Sequence, residues 1–185
     1  SSIYSLYSGD QGYILIGTYY GGVNYFDPDF GIAYFPANQE RNGLSHPVIG
    51  NMVEDKRGTI WICTEGGGLN SFNPRTRQVR HFQSKGSSEY LPGTNLKAIA
   101  YDRTQDELYL ATYPLGLYAY DIRNDRFRTI LQDPGAQRGG PADLIHSLQI
   151  YDKQLYIGAT NGVFSMNLRT SRISPVIPNR YIAFS

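Results

Sequence analysis

Hydrophobic residues recur along the chain in short runs of about five residues, separated by polar segments that are rich in Gly, Pro and Asp. Four of these runs end in a small residue followed by Thr or Ala: Ile14–Thr18, Ile60–Thr64, Leu108–Thr112 and Leu155–Ala159. Their first residues are 46, 48 and 47 positions apart. Runs of strand length at so constant a spacing indicate an internal repeat.

A second set of strand-like segments recurs at nearly the same spacing. After each run come a turn and another strand-like segment: Val23–Pro28, Leu69–Pro74, Leu117–Asp121 and Val163–Asn167. A further strand precedes the run in each unit, as at Val48–Glu54, and a last one follows, as at Val79–Phe82. No useful helical periodicity interrupts this order. Each unit is therefore predicted to hold four strands, named A, B, C and D in chain order.

Four antiparallel strands in a repeat of this length are typical of a β-propeller blade. A lone four-stranded sheet cannot cover both of its apolar faces, whereas stacking like sheets around an axis covers them. The predicted blades span residues 1–47, 48–95, 96–143 and 144–180, and residues 181–185 resemble the start of a further strand. We therefore expect an all-β fold and a fragment of a larger propeller. A closed four-bladed ring, a β-sandwich and a β-solenoid are the alternatives.

Composition agrees with an all-β chain and narrows the class of partner. The 16 Tyr favour strands, and the 20 Gly and 10 Pro favour turns. With 17 basic and 16 acidic residues, the net charge of +1 offers no basic surface for nucleic acid. No apolar stretch approaches the roughly 18 residues of a membrane span, so direct membrane insertion of this segment is not expected.

The second repeat carries a more specific pattern. An apolar strand ends in Glu54-Asp55, Gly58 precedes Ile60-Trp61-Ile62-Cys63-Thr64, and a glycine turn leads into Leu69, Phe72 and Pro74. Asn42-Gly43-Leu44-Ser45 stands before the strand. This repeat resembles the two-component-regulator propeller repeats in the periplasmic sensor region of hybrid two-component histidine kinases of Bacteroidetes.

The resemblance implies a function and a setting. It implies a sensor segment from a seven-bladed propeller, in the periplasm, within a parent chain that is a histidine kinase anchored in the inner membrane. The expected partners are neighbouring blades and domains of that parent, an oligosaccharide ligand and a second copy in a homodimer. The segment itself is not expected to be an enzyme. A propeller carbohydrate-active enzyme, such as a lyase or glycosidase, and a general protein-interaction scaffold stay open as alternatives.

Candidate chemistry within the strands is sparse. Cys63 occupies the position that holds Gly17, Ala111 and Gly158 in the other repeats, which favours a packing role over a nucleophilic one. The three His residues are scattered, with no short-range pair that would suit a metal. No catalytic residue, metal site or cofactor is predicted.

The variable loops are the better candidates. The B–C turns and D–A connections share one face of an up-and-down blade, and they differ sharply between repeats. Binding residues concentrate on variable loops held by a rigid scaffold. The candidate ligand-binding residues on this face are Tyr19, Tyr20, Arg41, His46, Glu65, Tyr113, Arg138 and Asn161. The alternative is that these loops are only solvated or contact neighbouring domains.

Overall fold

The protein is described by a computed structural model that covers residues 2–9, 12–28, 31–37, 43–82, 91, 93–132 and 144–178. Within these residues the secondary structure is entirely β, with sixteen strands in four antiparallel four-stranded sheets. The chain divides into two compact units, Ser1–Leu96 and Lys97–Ser185. The prediction of an all-β fold built from propeller blades is confirmed.

The first unit holds two sheets. The first sheet consists of β1 (Ile3–Ser8), β2 (Ile14–Thr18), β3 (Val23–Asp27) and β4 (Gly31–Phe35). The second consists of β5 (Ile49–Glu54), β6 (Ile60–Thr64), β7 (Gly68–Asn73) and β8 (Gln78–Phe82). In each sheet the spatial order of the strands is their order in the chain, so every connection within a sheet is a hairpin.

The second unit repeats this plan. Its first sheet consists of β9 (Leu96–Asp102), β10 (Glu107–Thr112), β11 (Gly116–Asp121) and β12 (Arg126–Gln132). Its second consists of β13 (Ile145–Tyr151), β14 (Gln154–Ala159), β15 (Gly162–Asn167) and β16 (Ile173–Pro178). The predicted strands agree with these bounds to within one residue. The predicted start of a further strand at 181–185 lies outside the described residues.

The register shows that the repeat in the sequence is a repeat in space. Ile14 pairs with Phe26, Ile60 with Phe72, Leu108 with Tyr120 and Leu155 with Met166. Each of these pairs joins the start of a strand B to the same point of its strand C. The sequence spacing therefore preserves register as well as strand order.

Each unit has a core in which one sheet packs on the other. In the first unit, Leu15 and Val23 of the first sheet cluster with Ile60, Ile62 and Phe72 of the second. In the second unit, the equivalent residues cluster in the same way: Tyr109, Leu117, Leu155, Ile157 and Met166. The two units thus bury the same repeat positions, which is the packing expected between adjacent blades.

Cys63 lies in this close-packed layer. Its side chain is completely buried, and burial raises the pKa of its thiol. At the equivalent Gly17, an added Cβ would lie 2.7 Å from Cγ2 of Ile49 in the facing sheet. Little room exists for a larger side chain at this level, which agrees with the packing role expected for Cys63. No described segment is a helix long and apolar enough to cross a membrane.

Candidate functional site

The B–C turns are closed by a recurring hydrogen bond. The Thr hydroxyl at the end of strand B donates to the carbonyl oxygen of the Gly that begins or precedes strand C. The distances are 2.9 Å for Thr18 to Gly22, 2.8 Å for Thr64 to Gly68 and 3.2 Å for Thr112 to Gly116. These Thr side chains are buried and fix the turns, whereas Tyr19, Tyr20 and Tyr113 between them are exposed.

The β2–β3 turn presents two adjacent tyrosines. Tyr19 is 39% exposed and Tyr20 is 68% exposed, and their ring centroids lie 4.4 Å apart in an edge-on arrangement. Tyr4 of β1 joins them, with its ring 5.8 Å from that of Tyr19. A backbone hydrogen bond from the Tyr19 N–H to the Ser2 carbonyl (2.9 Å) fixes the turn against β1. Three aromatic rings therefore form one exposed cluster.

Glu65, in the β6–β7 turn, lies within electrostatic reach of this cluster. A side-chain hydrogen bond with Tyr20 raises the pKa of the Tyr19 phenol, and the charge of Glu65 raises it further. The Glu65 N–H donates to the Val48 carbonyl (3.0 Å), so the turn is fastened to the segment that leads into β5. A carboxylate thus borders the aromatic rings.

His46 covers the glycines of the same turn. Any side chain at Gly66 would place its Cβ 3.0 Å from Nε2 of His46, and the φ of Gly66 is +126°. The His46 Nδ1 accepts a hydrogen bond from the Val48 N–H at 3.2 Å, which orients the ring. The glycine run is therefore needed for the close approach of His46, as well as for turning the chain.

Backbone hydrogen bonds join the turns of the first unit into one surface. The Gly22 N–H donates to the Pro47 carbonyl (3.1 Å), next to His46. The N–H groups of Gly66 and Gly68 both donate to the Thr94 carbonyl, at 3.0 and 2.8 Å. We call the surface formed by Tyr4, Tyr19, Tyr20, His46 and Glu65 the tyrosine face. Four of its five members were predicted from the sequence.

Tyr4 was missed by sequence reasoning because it lies in a strand A rather than in a loop. Ile3 pairs with Thr18 and Ser5 with Gly17, so Tyr4 is the extra residue of a β-bulge in β1. Its ring lies beside that of Tyr19.

The other predicted site residues lie in the second unit or outside the described residues. Tyr113 is 44% exposed in the β10–β11 turn, and Asn161 is half-buried in the β14–β15 turn. Beside Asn161, Nε2 of His146 lies 3.0 Å from Oγ1 of Thr160, a contact that the sequence did not predict. Arg41 and Arg138 fall outside the described residues.

The tyrosine face has the chemistry of a binding surface. Its rings offer flat apolar surface for stacking, and the phenol hydroxyls offer hydrogen bonds around it. Within the described ranges, no group of three His, Cys, Asp or Glu side chains could hold a metal ion. The arrangement suits recognition of a ligand that has both a flat apolar face and hydroxyl groups.

Comparison with protein families finds one match. Residues 43–66 match the model of the two component regulator propeller family. The resemblance expected from the second repeat is confirmed over this segment, which contains His46 and Glu65. Among curated protein sequences, none matches the chain at a significant level.

Comparison with solved structures finds propellers of several functions. The extracellular domain of the hybrid two component system BT3049 from B. thetaiotaomicron superposes with a TM-score of 0.78 and 20% identity, over 95% of this chain and 24% of that one. The extracellular domain of BT4673 from the same organism superposes with a TM-score of 0.72 and 21% identity, over 94% of this chain and 25% of that one. Virginiamycin B lyase from Staphylococcus aureus superposes with a TM-score of 0.70 and 12% identity, over 94% of this chain and 55% of that one. The chain thus spans about a quarter of the first two proteins, and at these identities the likeness shows the fold.

Proposed function

We propose that this chain is a ligand-binding segment of the extracellular sensor region of a hybrid two-component system. The observation that carries the proposal is the match of residues 43–66 to the two component regulator propeller family. The likeness to extracellular domains of two-component systems supports the same setting. The corresponding location is the periplasm, with the parent protein anchored in the inner membrane.

The tyrosine face is the proposed contact surface for the ligand. Its rigid turns, exposed rings and adjoining carboxylate suit the C–H face and the hydroxyls of a sugar ring, so an oligosaccharide is the proposed ligand class. Ring stacking contributes about 0.5–1.5 kcal/mol per contact beyond the area it buries. Two or three rings therefore supply a modest affinity that additional blades or domains of the parent would augment.

Signalling requires more than binding. A ligand shifts the equilibrium between two sensor states only by as much as its affinity for them differs. Because Tyr19 belongs to the first blade and the nearby Glu65 to the second, a ligand on the tyrosine face would contact residues of both blades. We therefore propose that the ligand selects one arrangement of the parent dimer and passes that bias across the membrane.

The test is a signalling assay in the full-length gene product. Tyr19→Ala combined with Tyr20→Ala should raise the oligosaccharide concentration for half-maximal response by about tenfold or more, since a stacking contribution near 1.4 kcal/mol corresponds to a factor of ten. Tyr113→Ala, tested separately, shows whether the β10–β11 turn also contributes. Tyr151→Ala is the matched control, because Tyr151 is 72% exposed and lies in strand β13 rather than in a B–C turn.

Unchanged signalling by the double variant would contradict the proposed role of the tyrosine face. Turnover of the oligosaccharide by the intact protein would instead favour an enzyme, the alternative that the same fold also allows.

A further inference from the structure

A cleft lies in the first unit, toward the ends of the strands that are opposite to the tyrosine face. It opens beside the C–D ends of β3 and β4 and beside the turn between β7 and β8, and its volume is about 620 Å³. Cavities that hold small ligands are typically about 300–1,000 Å³. The lining combines aromatic side chains, Ile32, one carboxylate and two guanidinium groups.

The apolar part of the cleft is supported by the core. The rings of Phe35 and Phe72 lie 4.4 Å apart, and Phe72 is 3% exposed. Tyr25 stacks on Tyr13 with a centroid distance of 5.0 Å. Ile32 pairs with Phe26, so its side chain lies on the opposite face of the first sheet from those of Tyr25 and Phe35. A bound ring would therefore meet the half-buried side chains of Tyr25 and Phe35.

Among the described residues, the polar part of the cleft has one carboxylate and two guanidinium groups. The Tyr25 hydroxyl donates to Oδ2 of Asp27 at 3.2 Å, so this carboxylate already accepts a hydrogen bond. The charge of Arg77 acts on Tyr25 across the cleft and opposes the rise in the pKa of Tyr25 that burial causes. Arg75 is exposed, and its guanidinium has no partner in the described part of the chain. Of the two guanidinium groups, that of Arg75 is therefore available for a ligand.

We infer that this cleft is a separate binding site for a monocarboxylate that carries an apolar ring. The ring lies against Tyr25 and Phe35, and the carboxylate pairs with Arg75. A guanidinium suits a carboxylate because two parallel N–H···O bonds form between them. The Arg75 guanidinium selects an anion over a cation, and the side chains of Tyr25 and Phe35 select a ring over a short chain.

The first experiment titrates the 185-residue chain with three probes and follows amide chemical shifts by NMR. Benzoate has both features, benzamide has the ring without the charge, and acetate has the charge without the ring. We expect benzoate to bind at least about tenfold more tightly than either of the others, and the shifts to fall on β3, β4 and β7. Equal binding of benzoate and benzamide, or an absence of saturable binding by benzoate, would overturn the inference.

The second experiment uses a matched pair of variants. Arg75→Gln should weaken benzoate binding about tenfold, because a charge-assisted pair is replaced by a neutral contact. Arg126→Gln removes an exposed arginine that does not line the cleft, and it should leave the affinity unchanged. Equal effects of the two variants would show binding through general charge and would contradict the site. The outcome is independent of the tyrosine face, since none of its residues lines this cleft.

Discussion

At the scale of single residues, Trp61 joins strand B of the second repeat to its A–B turn. Its indole Nε1 donates to Oδ2 of Asp55 at 3.0 Å, and Asp55 also accepts from the N–H groups of Arg57 (2.8 Å) and Thr59 (3.0 Å). The side chain of Asp55 is buried, so each of these donors compensates for the loss of water. Asp55 and Trp61 both belong to the motif of the second repeat, but the motif does not predict the bond between them.

Replacing Trp61 tests the value of this bond. Trp61→Phe should lower the free energy of unfolding by about 1–3 kcal/mol, because a buried carboxylate oxygen loses its indole donor. Urea denaturation measures this change. Tyr156→Phe at the equivalent position of the fourth repeat is the control and should change stability by less than about 0.5 kcal/mol. Equal losses in the two variants would mean that the Trp61–Asp55 bond adds nothing specific.

The reactivity of Cys63 tests the close packing between the two sheets of the first unit. Because the thiol is completely buried and burial raises its pKa, little thiolate is present or accessible in the folded chain. A thiol reagent such as DTNB should react with the folded protein only at the rate of unfolding, and fully once urea is added. Rapid modification of folded protein would show that Cys63 is accessible and would contradict its packing role.

At the scale of the element, the B–C turn depends on a glycine as much as on the closing Thr. Gly22, Gly68, Gly116 and Gly162 have φ values of +67°, +81°, +109° and +146°. At Gly68 an added Cβ would lie 2.6 Å from the Phe82 carbonyl oxygen and 3.1 Å from Cδ2 of Leu91. The backbone conformation and the lack of space therefore both require glycine there.

A pair of glycine variants separates these two requirements. Gly31 has a similar φ of +85°, but nothing lies within 4 Å of an added Cβ. Gly31→Ala should lower the free energy of unfolding by about 1 kcal/mol, because only the backbone conformation is strained. Gly68→Ala should lower it by about 3 kcal/mol or more, because backbone strain and a steric clash add together. Thermal and urea unfolding give both values. Equal costs would show that the turn relaxes around the new methyl group.

The elements were predictable because each strand carries its own local signals. Apolar residues such as Ile60 and Leu69 indicate where the strands lie, and Gly or Asp residues indicate where they end. Predicted and observed bounds therefore agree to within one residue. The long D–A connections carry no such pattern. Arg41 and Arg138, which were predicted on those connections, accordingly remain predictions.

At the scale of the whole molecule, one face of the first sheet is apolar and open to solvent. Leu6 is 66% exposed, Ile14 38% and Phe26 36%. In the second sheet the same repeat positions are Met52, Ile60 and Phe72, and all of these are buried against the first sheet. The exposed face therefore has the side chains that, one repeat later, serve as an interface between blades.

This face predicts self-association of the isolated chain. Light scattering should show the mean mass rising with concentration, because large exposed apolar patches associate in water. Leu6→Lys should suppress the rise by placing a charge in the interface. Tyr151→Lys, at an exposed position in the second unit, should not suppress it. A wild-type chain that stays monomeric over the whole concentration range would refute the prediction.

Function was less predictable than fold because binding depends on side chains that meet in space. Loop variability led to Tyr19, Tyr20, His46 and Glu65, and the structure places them on one surface. Tyr4 required the β1–β2 register, and the cleft at Arg75 required knowing that the β7–β8 turn reaches the outer strands of the first sheet. Neither contact has a signature in the sequence.

The most direct test of the account is whether the tyrosine face binds a sugar. The 185-residue chain would be applied to an array of defined oligosaccharides, beside the Tyr19→Ala, Tyr20→Ala double variant and the Tyr151→Ala control. We expect the wild-type chain and the control to bind the same oligosaccharide and the double variant to lose this binding. If the double variant retains that binding, the tyrosine face is not the sugar-binding surface.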